Sequence, residues 1–212
     1  MRTTVLLGML LLFVGVTSCS SDDDAAPLME VESSKASNIH APQQGGQGKP
    51  VSGPFTKFDF KTGKITTSDQ EWDIAFRGTT IIVNGGAPSG TTDEPARSGE
   101  AAAYITSGTS LAGVTSVDTS KLTQDGADGL AISTGSGEGW YTYDSTTHIV
   151  SPVVGKVLVV KTRDGRYAKL EILSYYKDAP APADLTQEII LGSSRYYTFN
   201  YVYQPNDGVT TF

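Results

Sequence analysis

Few side chains in this 212-residue sequence could act as nucleophiles, proton shuttles or soft metal donors. They are one cysteine, Cys19, two histidines, His40 and His148, and three methionines. A Ser-His-Asp triad would have to run through His148, and no serine stands in a nucleophile-elbow context. There is no HExxH pair and no glycine loop that could cradle phosphate. Asp93 and Glu94 are paired carboxylates in a Gly/Pro loop, without the apolar setting that raises an acid's pKa. Zinc would need three or four His or Cys ligands, which the chain lacks. Asp125–Asp128 (DGAD) departs from EF-hand spacing and reads as turn. What remains is chemistry of holding: aromatic rings and one imidazole. The reading is a non-enzyme.

Cys19 ends the apolar run VLLGMLLLFVGVTSC (5–19), and the acidic cluster SSDDD follows. The run is too short for the ~20 apolar residues of a membrane-spanning helix. It resembles a bacterial lipoprotein leader, in which residues 1–18 are removed and Cys19 is lipidated. Several acyl chains would then make the membrane anchor stable, since one chain holds only reversibly. Asp22, Asp23 and Asp24 resemble an acidic export signal, which places the protein on the outer membrane facing outward. No thiol is left for a disulfide, so packing alone must stabilise the fold. A net charge of −7 without a basic patch argues against nucleic acid.

Residues 19–50 are Ser-, Asp-, Gln- and Gly-rich and are expected to form a disordered tether, with His40 solvated in it. From residue 51 to 212 the pattern is that of a compact antiparallel β domain with little helix. Phe55, Phe58 and Phe60 mark a first strand. Trp72, Ile74 and Phe76 alternate with polar or small residues and predict a half-buried second one. Thr79–Val83 continues as strand and stops at Asn84-Gly85-Gly86. A long loop (86–100) and a weakly patterned stretch (101–139) follow, with a helical turn near 119–124. Trp140–Tyr143 predicts a strand. Val157–Val160 is an unbroken apolar run and should be covered on both faces. Arg163–Arg166 is a hairpin turn whose register the sequence leaves open. In the next strand Ala168, Leu170 and Ile172 point inward, Lys169 and Glu171 outward. A short helix is possible after Asp184, and Tyr197, Phe199, Tyr201 and Tyr203 share one face of the last strand.

Three segments carry a family resemblance: WDIAFRGTTIIVNGG (72–86), GWYTYDSTTHIVSPVVGKVLVVKTRDGRYAKLEILSYYKDAP (139–180) and RYYTFNYVYQP (195–205). Together they resemble the HmuY family of Bacteroidota lipoproteins. The resemblance implies a mostly antiparallel β fold outside the cell that captures haem, often from host haemoproteins. It further implies delivery of that haem to a TonB-dependent outer-membrane receptor. Relatives hold the iron with two His or Met side chains on loops beside the sheet. Here the sequence departs from that pattern, because the mature chain has one methionine, Met29, and the expected domain has one histidine, His148.

The candidate haem ligands are therefore His148, Tyr141 and Tyr143, with Arg77 and Lys156 as candidate propionate partners and no separate metal site. One-sided ligation by His148, a tyrosine donor, or a homodimer sharing one haem would each satisfy the iron. The alternative is a surface interaction or structural lipoprotein that uses the same fold without haem.

Overall fold

The computed structural model describes residues 27–46 and 48–212; the leader, Cys19 and the acidic cluster at 22–24 lie outside them. Two antiparallel sheets form the body. The larger has the order β1-β13-β12-β11-β8, with β1 at Glu32–His40, β8 at Ala102–Thr106, β11 at Val157–Lys161, β12 at Tyr167–Tyr176 and β13 at Ser194–Gln204. The smaller has the order β5-β4-β6-β7, with β4 at Thr56–Asp59, β5 at Lys64–Thr66, β6 at Ile74–Arg77 and β7 at Thr80–Val83. Two hairpins are appended, β2 (Gln44–Gly46) with β3 (Lys49–Ser52), and β9 (Tyr141–Tyr143) with β10 (Val150–Pro152). Among the described residues helix is confined to α1 (Gln187–Gly192), capped by Thr186 Oγ1, and two 3-10 turns, one of them at Thr119–Lys121. The expected class, mainly antiparallel β, is what the chain adopts.

The core lies where the sheets face each other. Alternation on β13 turns Tyr197, Phe199, Tyr201 and Tyr203 inward, toward Phe58 and Phe60 and toward Ile74 and Phe76 of β6. Phe58 meets Phe199 edge to face at 5.3 Å, and Phe76 lies 4.6 Å from Tyr197. On β11, Leu158 and Val160 face this core, while Val157 and Val159 face a second cluster with Val114, Val117 and Tyr167. The unbroken apolar run is thus covered on both sides, as expected of it.

Four expectations are corrected. First, the tether does not extend to residue 50: β1 pairs along β13 from Glu32↔Tyr203 to His40↔Tyr196. Among its side chains Ala36 is buried and Ile39 packs against the core. The strand is held mainly by backbone bonding to the edge of the aromatic strand, which hydropathy does not register. Second, Trp72 leaves the face of Ile74 and Phe76. It precedes β6 and packs behind the small sheet with Phe55, Ala75 and Ile82, beneath the Arg97 guanidinium at 5.8 Å. Third, Lys169 points outward but is only 4% exposed, because the 111–117 segment and Phe212 cover that half of the sheet. Fourth, Glu94 is not a solvated loop acid. Its side chain is buried against Arg97, which also meets Asp125 at 2.9 Å. Desolvation raises Glu94, but bonds from Ser89 and Arg97 outweigh it and hold the acid below its ordinary range.

The Arg163–Arg166 turn closes with Thr162 N–H donating to Arg166 O (2.8 Å), a three-residue loop that keeps the two arginines from facing each other. Arg163 instead bolts the sheets together, reaching Asp59 at 2.8 Å and Asp73 at 3.1 Å. Asp73 also accepts from the Phe60 and Arg163 amides. Burial nevertheless pushes its carboxyl up to about 6. The folded state therefore binds this proton more tightly than the unfolded chain, whose carboxyl stays near 3.8. The resulting penalty is full above about pH 6 and fades as pH falls toward 4. Thermal midpoints of wild type minus Asp73→Asn, taken from pH 7 to pH 4, should shift in favour of wild type on acidification. A flat difference would contradict the assignment.

Candidate functional site

The β9–β10 hairpin carries three of the five candidate residues. Its strands pair Tyr143 with Val150 and Tyr141 with Pro152. Asp144 organises the tip, accepting from the amides of Thr146 (2.8 Å) and Thr147 (3.4 Å), and these bonds hold its carboxyl below the usual range. The turn ends at His148, which takes the left-handed conformation (φ 62°) that histidine tolerates better than most residues. His148 is exposed, and its Nδ1 lies 2.7 Å from Tyr143 Oη. Among the described residues nothing bonds Nε2. One ring nitrogen is thus oriented by a partner and the other faces outward, the arrangement a metal-ligating imidazole uses.

The base of the hairpin is rigid. Trp140 is buried against Tyr141, Tyr175 and Tyr197, and its Nε1–H donates to Thr79 O at 3.0 Å. Val150 N–H donates to Tyr176 Oη at 2.9 Å, and Gln187 of α1 reaches Thr147 O at 3.4 Å. Beside β10 and β12 lies a cleft of about 280 Å³, whose apolar lining includes Val150, Val153, Ile172 and Leu185. That is just under the ~300 Å³ at which small-molecule pockets begin. Leu173 and Val154 also line it and are 42% and 96% exposed.

The remaining candidates divide differently. Tyr141 Oη accepts from Thr79 Oγ1 at 3.3 Å, so it is tied to the β6–β7 turn rather than presented to solvent. Tyr143 is 44% exposed, but its hydroxyl is committed to His148. Arg77 is corrected as a propionate partner. It is 2% exposed, and its guanidinium donates to Gly53 O, Thr92 O and Thr91 Oγ1 beneath the long loop. Its cation lies 4.2 Å over the Phe55 ring. Lys156 is likewise spent within the fold, where Nζ bonds the carbonyls of Gly137 (2.9 Å), Glu138 and Gly139. A basic residue beside an apolar strand looks available in sequence; here the Gly-rich loops fold back and take both cations.

His40, expected to be solvated in the tether, is exposed but belongs to a strand. It closes β1 and stacks on Tyr196, with ring centroids 4.5 Å apart. Ala41 then joins Gly78 through a 3.0 Å backbone bond, which brings the His40 end of β1 to the same end of the molecule as the hairpin. Met29 lies at the opposite end, bonded through its backbone to Asn206. Burial pushes Tyr175, Tyr176 and Tyr197 above their ordinary range, which keeps them protonated hydrogen-bond partners of the core. No group of three or more His, Cys, Asp or Glu suited to a metal ion occurs among the described residues. No helix there is long and apolar enough to cross a membrane.

Fold and site together define a two-sheet antiparallel β protein that presents one oriented imidazole at a hairpin tip. The HmuY protein family matches residues 54–201, well over half the chain. The chain belongs to the HmuY family. Solved structures similar to it include an apo HmuY analog from Tannerella forsythia, with 14% identity over 84% of this chain and 99% of the other and a TM-score of 0.46. A protein from Bacteroides fragilis, described as a candidate lipoprotein, is 13% identical over 84% and 94%, with a TM-score of 0.44. A Bacteroides vulgatus protein described as a candidate HmuY-like haem-binding protein is 15% identical over 83% and 93%, also at 0.44. No curated protein matches the chain.

Proposed function

We propose that this protein is a lipid-anchored haem-capturing protein of the outer membrane, displayed outward through Cys19, with residues 1–18 as its leader and His148 as its iron ligand. The observation that carries the reading is the 2.7 Å contact of His148 Nδ1 with Tyr143 Oη at an exposed hairpin. That contact fixes the ring and leaves Nε2 outward. Of the three candidate ligands it favours His148 and gives Tyr143 a positioning role. Haem supplies an iron that accepts an imidazole and a flat apolar plate that wants two walls.

The described residues fit part of this need. They provide one imidazole, and the cleft residues Val150, Val153 and Val154 beside β10 are the apolar wall we assign to the plate. A second copy facing the same hairpin would supply the other wall and a second His148, so we favour a shared haem in a homodimer. The haem would come from solution or from host haemoproteins and pass to a TonB-dependent receptor. Binding without catalysis is the mode the site supports.

The test is a haemin titration of residues 20–212, which retain β1, followed at the Soret band. Wild type is expected to saturate near one haem per two chains. His148→Ala should lose the shift, and Tyr143→Phe should weaken it roughly fivefold, as one lost hydrogen bond to an unsupported ring implies. A Soret shift unchanged in His148→Ala would overturn the ligand assignment. The absence of any saturable shift would favour a surface interaction protein without haem.

A further inference from the structure

The outer face of the larger sheet is roofed on one half only. Val157, Val159 and Tyr167 lie under Val114, Val117 and Phe212. Toward β13 and β1 the roof stops and a groove of about 810 Å³ opens, lined by Leu111 and Phe212 of the roof and by Val202 and Val31. That volume lies within the ~300–1,000 Å³ range of small-molecule sites.

Lys169 belongs to the lining. Its register, opposite Val159 on one neighbour and Val202 on the other, sets it at the line where the roof ends. It is 4% exposed, its Nζ donates to Val114 O at 2.6 Å, and it lies 4.7 Å over the Phe212 ring. An ammonium carries three donors, and here one is filled. Among the described residues no carboxylate stands within ion-pair distance of it. A buried cation without a counter-ion is costly, and burial pushes its pKa down. Lys35 also lines the groove, against a single acid, Glu171. In a chain of net charge −7 this is a local excess of positive charge.

We propose that the groove binds a fatty acid, its carboxylate on Lys169 Nζ and its chain along Val31, Leu111, Val202 and Phe212. The unfilled donors supply the head-group bonds and the aliphatic walls supply the tail site. Glu171 disfavours a dianionic head, which selects a monocarboxylate over a phosphate ester.

The experiment titrates residues 20–212 with cis-parinaric acid, read by its fluorescence. Saturable one-to-one binding is expected, weakened roughly tenfold or more in Lys169→Met, the loss of a charge-assisted bond. Ala112→Trp, at an exposed position of the groove wall, should block binding without touching Lys169. It decides the matter if Lys169→Met fails to fold. The methyl ester should bind at least as poorly as the acid binds to Lys169→Met. No saturable binding, equal binding of acid and ester, or unchanged affinity in the folded variants would overturn the proposal. His148→Ala should leave parinarate binding intact while abolishing the haemin response, so the two sites fail separately.

Discussion

Arg97→Ala is expected to destabilise the protein by about 3–5 kcal/mol, because it strands buried charge. The Arg97, Glu94 and Asp125 side chains are 1%, 2% and 0% exposed. Asp125 also accepts from the amides of Val83 (2.9 Å) and Ala131 (2.9 Å), so it anchors β7 and the 126–131 turn at once. Desolvation raises its pKa even with Arg97 beside it. Without the guanidinium, two carboxyls would share a dry pocket, and one must take a proton or draw in water. For a chain of this size the thermal midpoint should fall by roughly 10 °C. The variant should also release the 86–100 loop, measurable as faster proteolysis there. Replacing Arg97 and Glu94 together by apolar residues of similar volume should cost less, since the penalty comes from the unpaired charge. A midpoint within 2 °C of wild type in Arg97→Ala would contradict this role.

Trp140→Ala is the second large effect, at about 3–5 kcal/mol for an emptied aromatic site. Trp140 sits 5.0 Å from Tyr141, 5.7 Å from Tyr175 and 5.0 Å from Tyr197, so its removal opens a cavity between the larger sheet and the hairpin. It also leaves Thr79 O without its donor. The hairpin is held at its base by this ring and by Tyr176 Oη, and loosening it should reduce haemin affinity as well as stability. Trp140→Phe keeps most of the volume and loses the indole bond, for an expected cost of about 1–3 kcal/mol. Denaturant unfolding of both variants checks the order. Equal stabilities would show that the hairpin does not depend on the buried indole.

Much of the fold was legible because strand alternation writes itself into sequence. The Tyr197–Tyr203 stripe and the apolar run of Val157–Val160 each state which face is inward, and Arg163–Arg166 marks where the chain reverses, though not the length of the loop, which the Thr162–Arg166 backbone bond sets. β1 was hidden because its contribution is a row of backbone bonds beside β13. β8 was hidden because its buried residues, Ala102 and Ala103, are small. Trp72 changed faces because it precedes the strand, where alternation does not yet hold. The ion pairs of Glu94, Arg97 and Asp125 join residues up to 28 positions apart, which no local pattern reveals. At the hairpin, sequence placed Tyr143 at the end of a strand and His148 five residues further on. It could not show that one orients the other, or that Arg77 and Lys156 are consumed inside the fold.

The chain has only two histidines, so iron ligation by His148 is directly readable. With 15N-labelled imidazoles, the ring signals of His40 and His148 can be followed during addition of gallium protoporphyrin IX, a diamagnetic stand-in for haem. His148 Nε2 is expected to shift strongly, while His40 stays within the range of an unliganded ring. A shift confined to His40, or no shift in either ring at saturating porphyrin, would contradict ligation by His148.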